Sequence, residues 1–131
     1  MTRDMDLIRR LLLYLEGRQE PAGVEAKDIA IGGYDWPVVQ YHLNLLSQAG
    51  FLNGEVVRSK STPARIIKVI PFDLTWKGHE FIATVRDEEI WGQTKRAASQ
   101  LGASSIDILS GLAKAYINSK AKAVLGSPID I

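Results

Sequence analysis

The stretch from Asp35 to Phe81 constrains the fold more than any other part of the chain. Residues 35–50 predict a helix, with Asp at the N-cap, Pro in the first turn and Gly at the end. Two β-branched runs, 51–58 and 64–70, follow and flank a polar segment, which predicts a β-hairpin. A second helix is predicted directly after the hairpin. The chain therefore predicts helix, hairpin and helix with almost no residues between them.

This order of elements is typical of a winged-helix fold, in which the hairpin is the wing. A helix is also predicted upstream, over 4–16, because apolar residues recur there at spacings of three and four. Between the two helices, 24–31 alternates only loosely, so we expect a short strand, with one helical turn over 26–30 as the alternative. The predicted fold class is α+β: a winged-helix-like domain (N-terminal helix, short strand, helix, two-stranded wing, helix) with an added C-terminal helix.

The second half of the chain predicts two long helices. Pro71 is expected to end the pairing of the second strand, and Thr75 to cap a helix over 76–98. Ser104 stands three residues before an Asp, the spacing of a capping box, and precedes a helix ended by Gly126 with Pro128. We expect 1–100 to form the winged-helix-like domain, and 101–131 an amphipathic helix that packs on this domain or on a second subunit.

Composition excludes several classes of protein. The 131 residues are 46% hydrophobic and 24% charged, which is ordinary for a soluble domain, and no apolar run is long enough to span a membrane. There is no cysteine, which excludes disulfides, thiol catalysis and cysteine-bound zinc. The charged N-terminus does not resemble a secretory signal. We expect a cytoplasmic protein without a membrane partner.

The positive charge is concentrated in the wing. Residues 1–50 carry five basic and seven acidic side chains, whereas 51–77 carry five basic and two acidic, a net charge of +3. Residues 78–131 carry six of each sign. A local basic excess of this kind attracts phosphate even when the chain as a whole carries only +1.

Two groups of residues are candidates for nucleic-acid binding. Arg58, Lys60 and Arg65 surround a Ser/Thr-rich turn that suits a sugar-phosphate backbone, although such cations also protect an exposed hairpin from pairing with other chains. On the helix over 35–50, the outward amides can hydrogen-bond to base edges, Gln and Asn being suited to adenine, although they also suit simple exposure to solvent. These amides are Gln40, Asn44 and Gln48.

Catalytic and metal-binding patterns are missing from the sequence. His42 and His79 do not have the spacing of a metal or catalytic motif, so we expect both to be structural. The acidic run 87–89 lies on a predicted helix, where neighbouring side chains point in different directions and do not form an acid/base pair. We predict no enzymatic activity, no metal and no cofactor. The tryptophans, at 36, 76 and 91, are expected to complete the core.

Three motifs carry a resemblance to a known family. They are RDMDLIR at 3–9, YHLNLL at 41–46 with AGFL at 49–52, and LTWKGHEF at 74–81 with RD at 86–87 and IW at 90–91. In this order they resemble a small bacterial and prophage-borne family classed as domain of unknown function twenty-five thirteen. The resemblance implies a winged-helix-like domain of bacteria or their phages without an assigned activity. The middle motif also resembles the recognition helix of general winged-helix regulators.

Two hypotheses about function follow. In the first, the protein binds double-stranded DNA, regulates transcription and forms a homodimer through residues 106–125. In the second, it is a non-catalytic protein–protein interaction module that keeps the winged-helix shape and binds a bacterial or phage partner. The near-neutral charge and the absence of Lys and Arg from the helix over 35–50 support the second hypothesis.

Overall fold

The computed structural model describes residues 1–126, which contain five α-helices and one two-stranded antiparallel sheet. This is an α+β, winged-helix-like arrangement, so the predicted fold class is confirmed. The elements in chain order are α1 (Met5–Gly17), a 3₁₀ turn (Ala26–Asp28), α2 (Trp36–Gln48), β1 (Leu52–Arg58), β2 (Ile66–Leu74), α3 (Trp76–Val85), α4 (Glu88–Leu101) and α5 (Ile106–Leu125).

Two compact units make up the chain, Met1–Ile82 and a second that begins at Ala83. In the first unit, α1 and α2 contact each other and both pack on β2. The most deeply buried apolar side chains of these elements are Leu7, Leu11, Leu12, Val39, Leu43, Leu46 and Val69. Their three- and four-residue spacing on the helices is the amphipathic pattern that predicted α1 and α2. Compactness does not test independent folding, so the division into 1–100 and 101–131 stays a prediction.

A hydrogen-bond cluster ties the start of α1 to α2. The Asp4 carboxylate caps α1, because its Oδ1 accepts from the N–H of Leu7 at 3.1 Å, while its Oδ2 accepts from the Tyr34 hydroxyl at 2.7 Å. The N–H of Asp4 donates to His42 Nε2 at 2.8 Å. The other ring nitrogen of His42 donates to the carbonyl of Val38, also at 2.8 Å. These bonds require the neutral imidazole with its proton on Nδ1.

Tyr34 makes the stability of this cluster sensitive to alkaline pH. The hydrogen bond to Asp4, together with burial and nearby negative charge, raises the pKa of Tyr34 from 10.0 to about 12. The neutral phenol therefore stabilises the fold fully below pH 10.0, and this contribution is lost as the pH rises towards 12. We expect the thermal unfolding midpoint to fall over this range by more in the wild type than in Tyr34→Phe, which lacks the titrating hydroxyl. Circular dichroism melts of both proteins measure this, and equal falls would contradict it.

The predicted short strand over 24–31 is wrong. The segment forms the 3₁₀ turn instead, in which the N–H of Asp28 donates to the Glu25 carbonyl at 2.9 Å and that of Ile29 to the Ala26 carbonyl at 3.1 Å. Because these two N–H groups donate within the turn, they form no strand-to-strand hydrogen bonds with β2. One sheet-like bond remains, from the N–H of Val24 to the Pro71 carbonyl at 3.2 Å. The alternative of a single helical turn was closer to the structure.

Pairing in the wing continues past Pro71, contrary to the prediction. β2 extends to Leu74, and Pro71 lies opposite Gly54, where the register shifts. Such an irregularity tolerates Pro because it leaves a position without a ladder hydrogen bond. The strands approach closely here: a Cβ added to Gly54 would lie 2.6 Å from the Ile70 carbonyl oxygen. Gly54 therefore allows the two backbones to approach.

The single helix predicted over 76–98 is in fact two helices. Thr75 caps the first as predicted, since its hydroxyl accepts from the N–H of Gly78 at 3.1 Å, but α3 ends at Val85. Asp87 then has an extended backbone, and its carboxylate accepts from the N–H of Ile90 at 2.9 Å to cap α4. An Asp that satisfies a free N–H in this way favours a new helix start over a continuous helix.

In the second unit, α4 and α5 pack on each other. Leu109 and Ala113 are the buried residues of α5. The N-cap of α5 is Ser105, one residue after the predicted Ser104, and its hydroxyl accepts from the N–H of Ile108 at 3.3 Å. Gly126, in the left-handed conformation, caps the C-terminal end of α5, as predicted, whereas Pro128 lies outside the described residues. Across residues 1–126, no helix combines the length and apolar character needed to cross a bilayer.

Candidate nucleic-acid interface

A groove between α2 and the wing brings together four of the six residues predicted to bind nucleic acid. Its volume is about 520 Å³, and Gln40, Asn44 and Gln48 line it from α2 while Arg65 lines it from the wing. The three amides recur every four residues and so share one side of the helix. The opposite side of α2 is buried in the core. The fold therefore places the amide stripe and a wing cation on the same surface.

Within the stripe, the amides differ in what they already bind. Gln40 Nε2 donates to Asn44 Oδ1 at 3.1 Å and to the carbonyl of Val69 on β2 at 3.3 Å. This pair of bonds attaches α2 to the wing. Gln48 is exposed at the end of the helix, and its amide makes no hydrogen bond within residues 1–126. Gln40 thus has a structural role, while Asn44 and Gln48 retain donors that face the groove.

The wing tip, residues 58–65, runs from the last residue of β1 to the start of β2 and holds the three candidate cations. Arg58, Lys60 and Arg65 are all exposed, and none pairs with a carboxylate of the described chain. Arg58 donates to the carbonyl of Pro63 at 3.3 Å, which leaves its charge without a counterion. The turn is ordered by its own backbone: the N–H of Ser59 donates to the Arg65 carbonyl at 3.0 Å. The wing tip is a cationic surface of defined shape.

The remaining two basic residues of the predicted excess serve the fold. Lys68 forms an ion pair with Glu25 at 3.1 Å, which joins β2 to the segment that leads into the 3₁₀ turn. Lys77 donates to the Ala49 carbonyl at 3.1 Å at the end of α2, where it lies 5.0 Å from the centre of the Phe51 ring. A cation suits this position because it lies at the negative end of the helix dipole. The charge available to a ligand is therefore concentrated at the wing tip.

Apolar residues also belong to the groove, and sequence analysis missed them. Pro37, Tyr41 and Leu45 of α2 lie beside the amides, and Ile67 faces them from β2 with 52% of its surface exposed. Ile67 was predicted only as part of a β-branched run. Alternation along β2 is the signal that identifies Ile67, because residues two apart lie on the same face of a strand. Ile67 therefore lies on the face of the buried Val69, but it is nearer the end of the strand and remains exposed.

Two of the three tryptophans are exposed, so the prediction that all of them complete the core is wrong. Trp36 and Trp76 expose 58% and 80% of their surface, and only Trp91 is buried. Both exposed residues are the first of their helices and directly follow the cap. Trp76 also lies nine positions from the buried Val85, which is about two and a half helical turns, so the two residues lie on opposite sides of α3. The helical periodicity of the sequence could therefore have predicted that Trp76 is exposed.

The two histidines have different surroundings. His42 is fully buried and hydrogen-bonded at both ring nitrogens, an arrangement in keeping with the structural role expected of it. The Nδ1 atom of His79 lies 3.9 Å from Glu16 Oε2 at the surface. Among residues 1–126, no three His, Asp or Glu side chains are grouped so that they could hold a metal ion.

Comparison with known proteins identifies the family. The model of a family described as "Hypothetical protein (DUF2513)" matches residues 2–104, which include every element up to the end of α4. An uncharacterized protein of Haemophilus influenzae is 31% identical over 119 residues, covering 90% of this chain and 97% of that protein. No solved structure matches the chain significantly. The resemblance inferred from the three sequence motifs is confirmed, and the chain belongs to the DUF2513 family.

Proposed function

We propose that this protein is a non-enzymatic, DNA-binding regulator that lays α2 against the major groove of a duplex and the wing tip against the phosphates. The observation that carries the proposal is the shared surface of α2 and the wing, where Asn44, Gln48 and Arg65 line one groove. A helix presenting polar side chains beside a basic wing matches the way winged-helix and helix-turn-helix proteins divide base contacts from backbone contacts.

Charge around the groove supports a polyanionic ligand. No carboxylate is among the residues that line it within the described chain, and the cations of the wing tip have no counterions there. Contacts from three cations release about three counterions from DNA, so binding is expected to be modest and sensitive to salt.

The salt dependence of duplex binding tests this function. With about three phosphate contacts, the slope of log K against log salt is about −2.7, so affinity falls about 40-fold between roughly 50 and 200 mM salt. Fluorescence anisotropy of the wild-type protein with random-sequence duplex measures it. Absence of binding at the lower salt concentration, or binding that salt does not change, would contradict the proposal.

A second candidate function, binding of a protein partner through the same groove, is favoured by the apolar residues that line it. Tyr41, Leu45 and Ile67 line the groove, and Trp36 is exposed at the start of α2. Aromatic and aliphatic side chains of this kind anchor protein interfaces. Under this hypothesis, duplex DNA has no effect on these residues.

We also propose that α5 forms a homodimer, so that one assembly carries two wings. Its last turns expose Val124 and Leu125, by 78% and 64%, along an apolar groove of about 650 Å³ within the second unit. Val124→Glu is expected to convert a dimer into a monomer, because it buries a charge at the interface. Ala123→Glu, at the neighbouring exposed position, is the control and keeps the dimer. Sedimentation equilibrium measures both, and a monomeric wild type would contradict the proposal.

A further inference from the structure

The orientation of the Asn44 side chain follows from its hydrogen bonds. Gln40 Nε2 lies 3.3 Å from the carbonyl oxygen of Val69, which can only accept a hydrogen bond, so the NH₂ group of Gln40 must face β2. The same NH₂ group lies 3.1 Å from Asn44, so the Asn44 atom that receives its second proton must be Oδ1. The Val69 carbonyl thus decides both amide orientations.

This arrangement leaves the Asn44 NH₂ group for the groove. Asn44 is partly exposed and lines the groove, and its Nδ2 has no hydrogen-bond partner among residues 1–126. Its carbonyl oxygen is turned towards Gln40, which occupies one of its two lone pairs. Asn44 therefore presents its NH₂ group, with two N–H donors, to a ligand, whereas a freely rotating Asn can present its NH₂ group and its carbonyl oxygen side by side.

Base edges in the major groove differ in a way that this side chain can distinguish. Adenine shows an acceptor, N7, beside a donor, the N6 amino group, and an Asn that reads it uses its NH₂ and its carbonyl together. Guanine shows two acceptors, N7 and O6. A side chain that offers only donors matches guanine, whereas the N6 amino group of adenine would face it as a second donor.

We infer that Asn44 selects guanine over adenine in the major groove, and that Gln40 is the positioning residue that holds Asn44 in its donor orientation. This inference rests on the proposed DNA-binding function. It also replaces the adenine preference expected from sequence, because the Gln40 bond turns the Asn44 carbonyl oxygen, the acceptor that adenine needs, towards Gln40.

Selection of bound duplexes from a randomised library tests the base preference. The wild type is expected to enrich guanine over adenine at one position, on the order of tenfold. Asn44→Asp can still accept from Gln40 but exchanges the donor group for an acceptor, so the preference moves to a base with an amino group, cytosine or adenine. Asn44→Ala is the control that removes the preference without reversing it.

Gln40→Leu tests the positioning role, because it keeps a side chain of similar size and removes both donated bonds. Asn44 is then free to rotate, so the guanine-to-adenine ratio falls towards one while binding to random duplex through the wing tip is retained. A purely structural role for Gln40 would lower affinity for every sequence equally and leave the ratio unchanged, which would overturn the assignment.

The remaining outcomes separate this inference from the function on which it rests. Duplex binding without a guanine preference that depends on Asn44 overturns the inference alone. No duplex binding at low salt overturns the proposed function, and the inference with it. Thermal melts confirm that each variant is folded. In the free protein, NMR gives an independent readout: the Gln40 NH₂ protons are expected to exchange with solvent more slowly than those of Asn44, and the reverse order would overturn the inference.

Discussion

Gly78→Ala is expected to lower the free energy of unfolding by about 3 kcal/mol, as overpacking at a site that cannot relax does. Gly78 lies in the first turn of α3, where the helix backbone touches the start of the wing. An added Cβ would overlap the carbonyl oxygen of Phe51 and lie 3.1 Å from its carbonyl carbon. That carbonyl cannot move away freely, because it accepts from the N–H of Thr75 at 3.1 Å.

Urea denaturation of the wild type and two variants measures this effect. The control is Gly111→Ala in α5, a helical glycine with nothing within 4 Å of its added Cβ. Because Ala has the higher helix propensity, we expect this control to raise stability by up to about 1 kcal/mol. The same substitution is thus expected to lower the free energy of unfolding at Gly78 and to raise it at Gly111. Equal changes in the free energy of unfolding would mean that α3 does not contact the start of the wing closely at Gly78.

Lys60→Ala combined with Arg65→Ala is expected to weaken duplex binding on the order of a hundredfold at about 50 mM salt, and to reduce the salt slope from about −2.7 to about −0.9. Both side chains are exposed cations of the wing tip without a counterion in the described chain, so their removal disturbs little of the fold. Anisotropy titrations at several salt concentrations give the affinity and the slope together.

A matched variant separates a wing contact from the effect of net charge. Lys114→Ala combined with Lys122→Ala removes the same formal charge from exposed positions on α5, where Ala is an excellent helix former. We expect this control to keep the wild-type slope. If the two double variants lose affinity to the same extent, the wing tip has no particular role and the attraction is a property of the whole protein.

Local signals explain which parts of the fold could be predicted from sequence. The apolar spacing of α1 and α2 and the β-branched runs of the wing each act within a few residues, and each predicted its element. The break between α3 and α4 depends on competition between a continuous helix and the cap at Asp87. Pattern alone does not decide that competition, because both alternatives satisfy the same apolar spacing.

The candidate site was predicted only in part, because contacts distant in sequence define it. The pattern named the amides and the cations, yet Lys68 pairs with Glu25 across 43 positions, and Gln40 binds the Val69 carbonyl across 29. Nothing near these residues in sequence indicates such partners. In the structure, the basic residues of the wing that are available to a ligand are therefore those of the wing tip. Gln40 binds Asn44 and the Val69 carbonyl instead of facing a ligand.

NMR titration of the ¹⁵N-labelled protein with a duplex shows whether α2 and the wing tip contact DNA together. The side-chain amides of Asn44 and Gln48 and the backbone amides of the wing tip are expected to shift together, in proportion to bound DNA. Amides on the buried side of α2 are expected to change least. Shifts confined to other surfaces, or no shifts at a salt concentration near 50 mM, where phosphate contacts are strong, would contradict this joint contact.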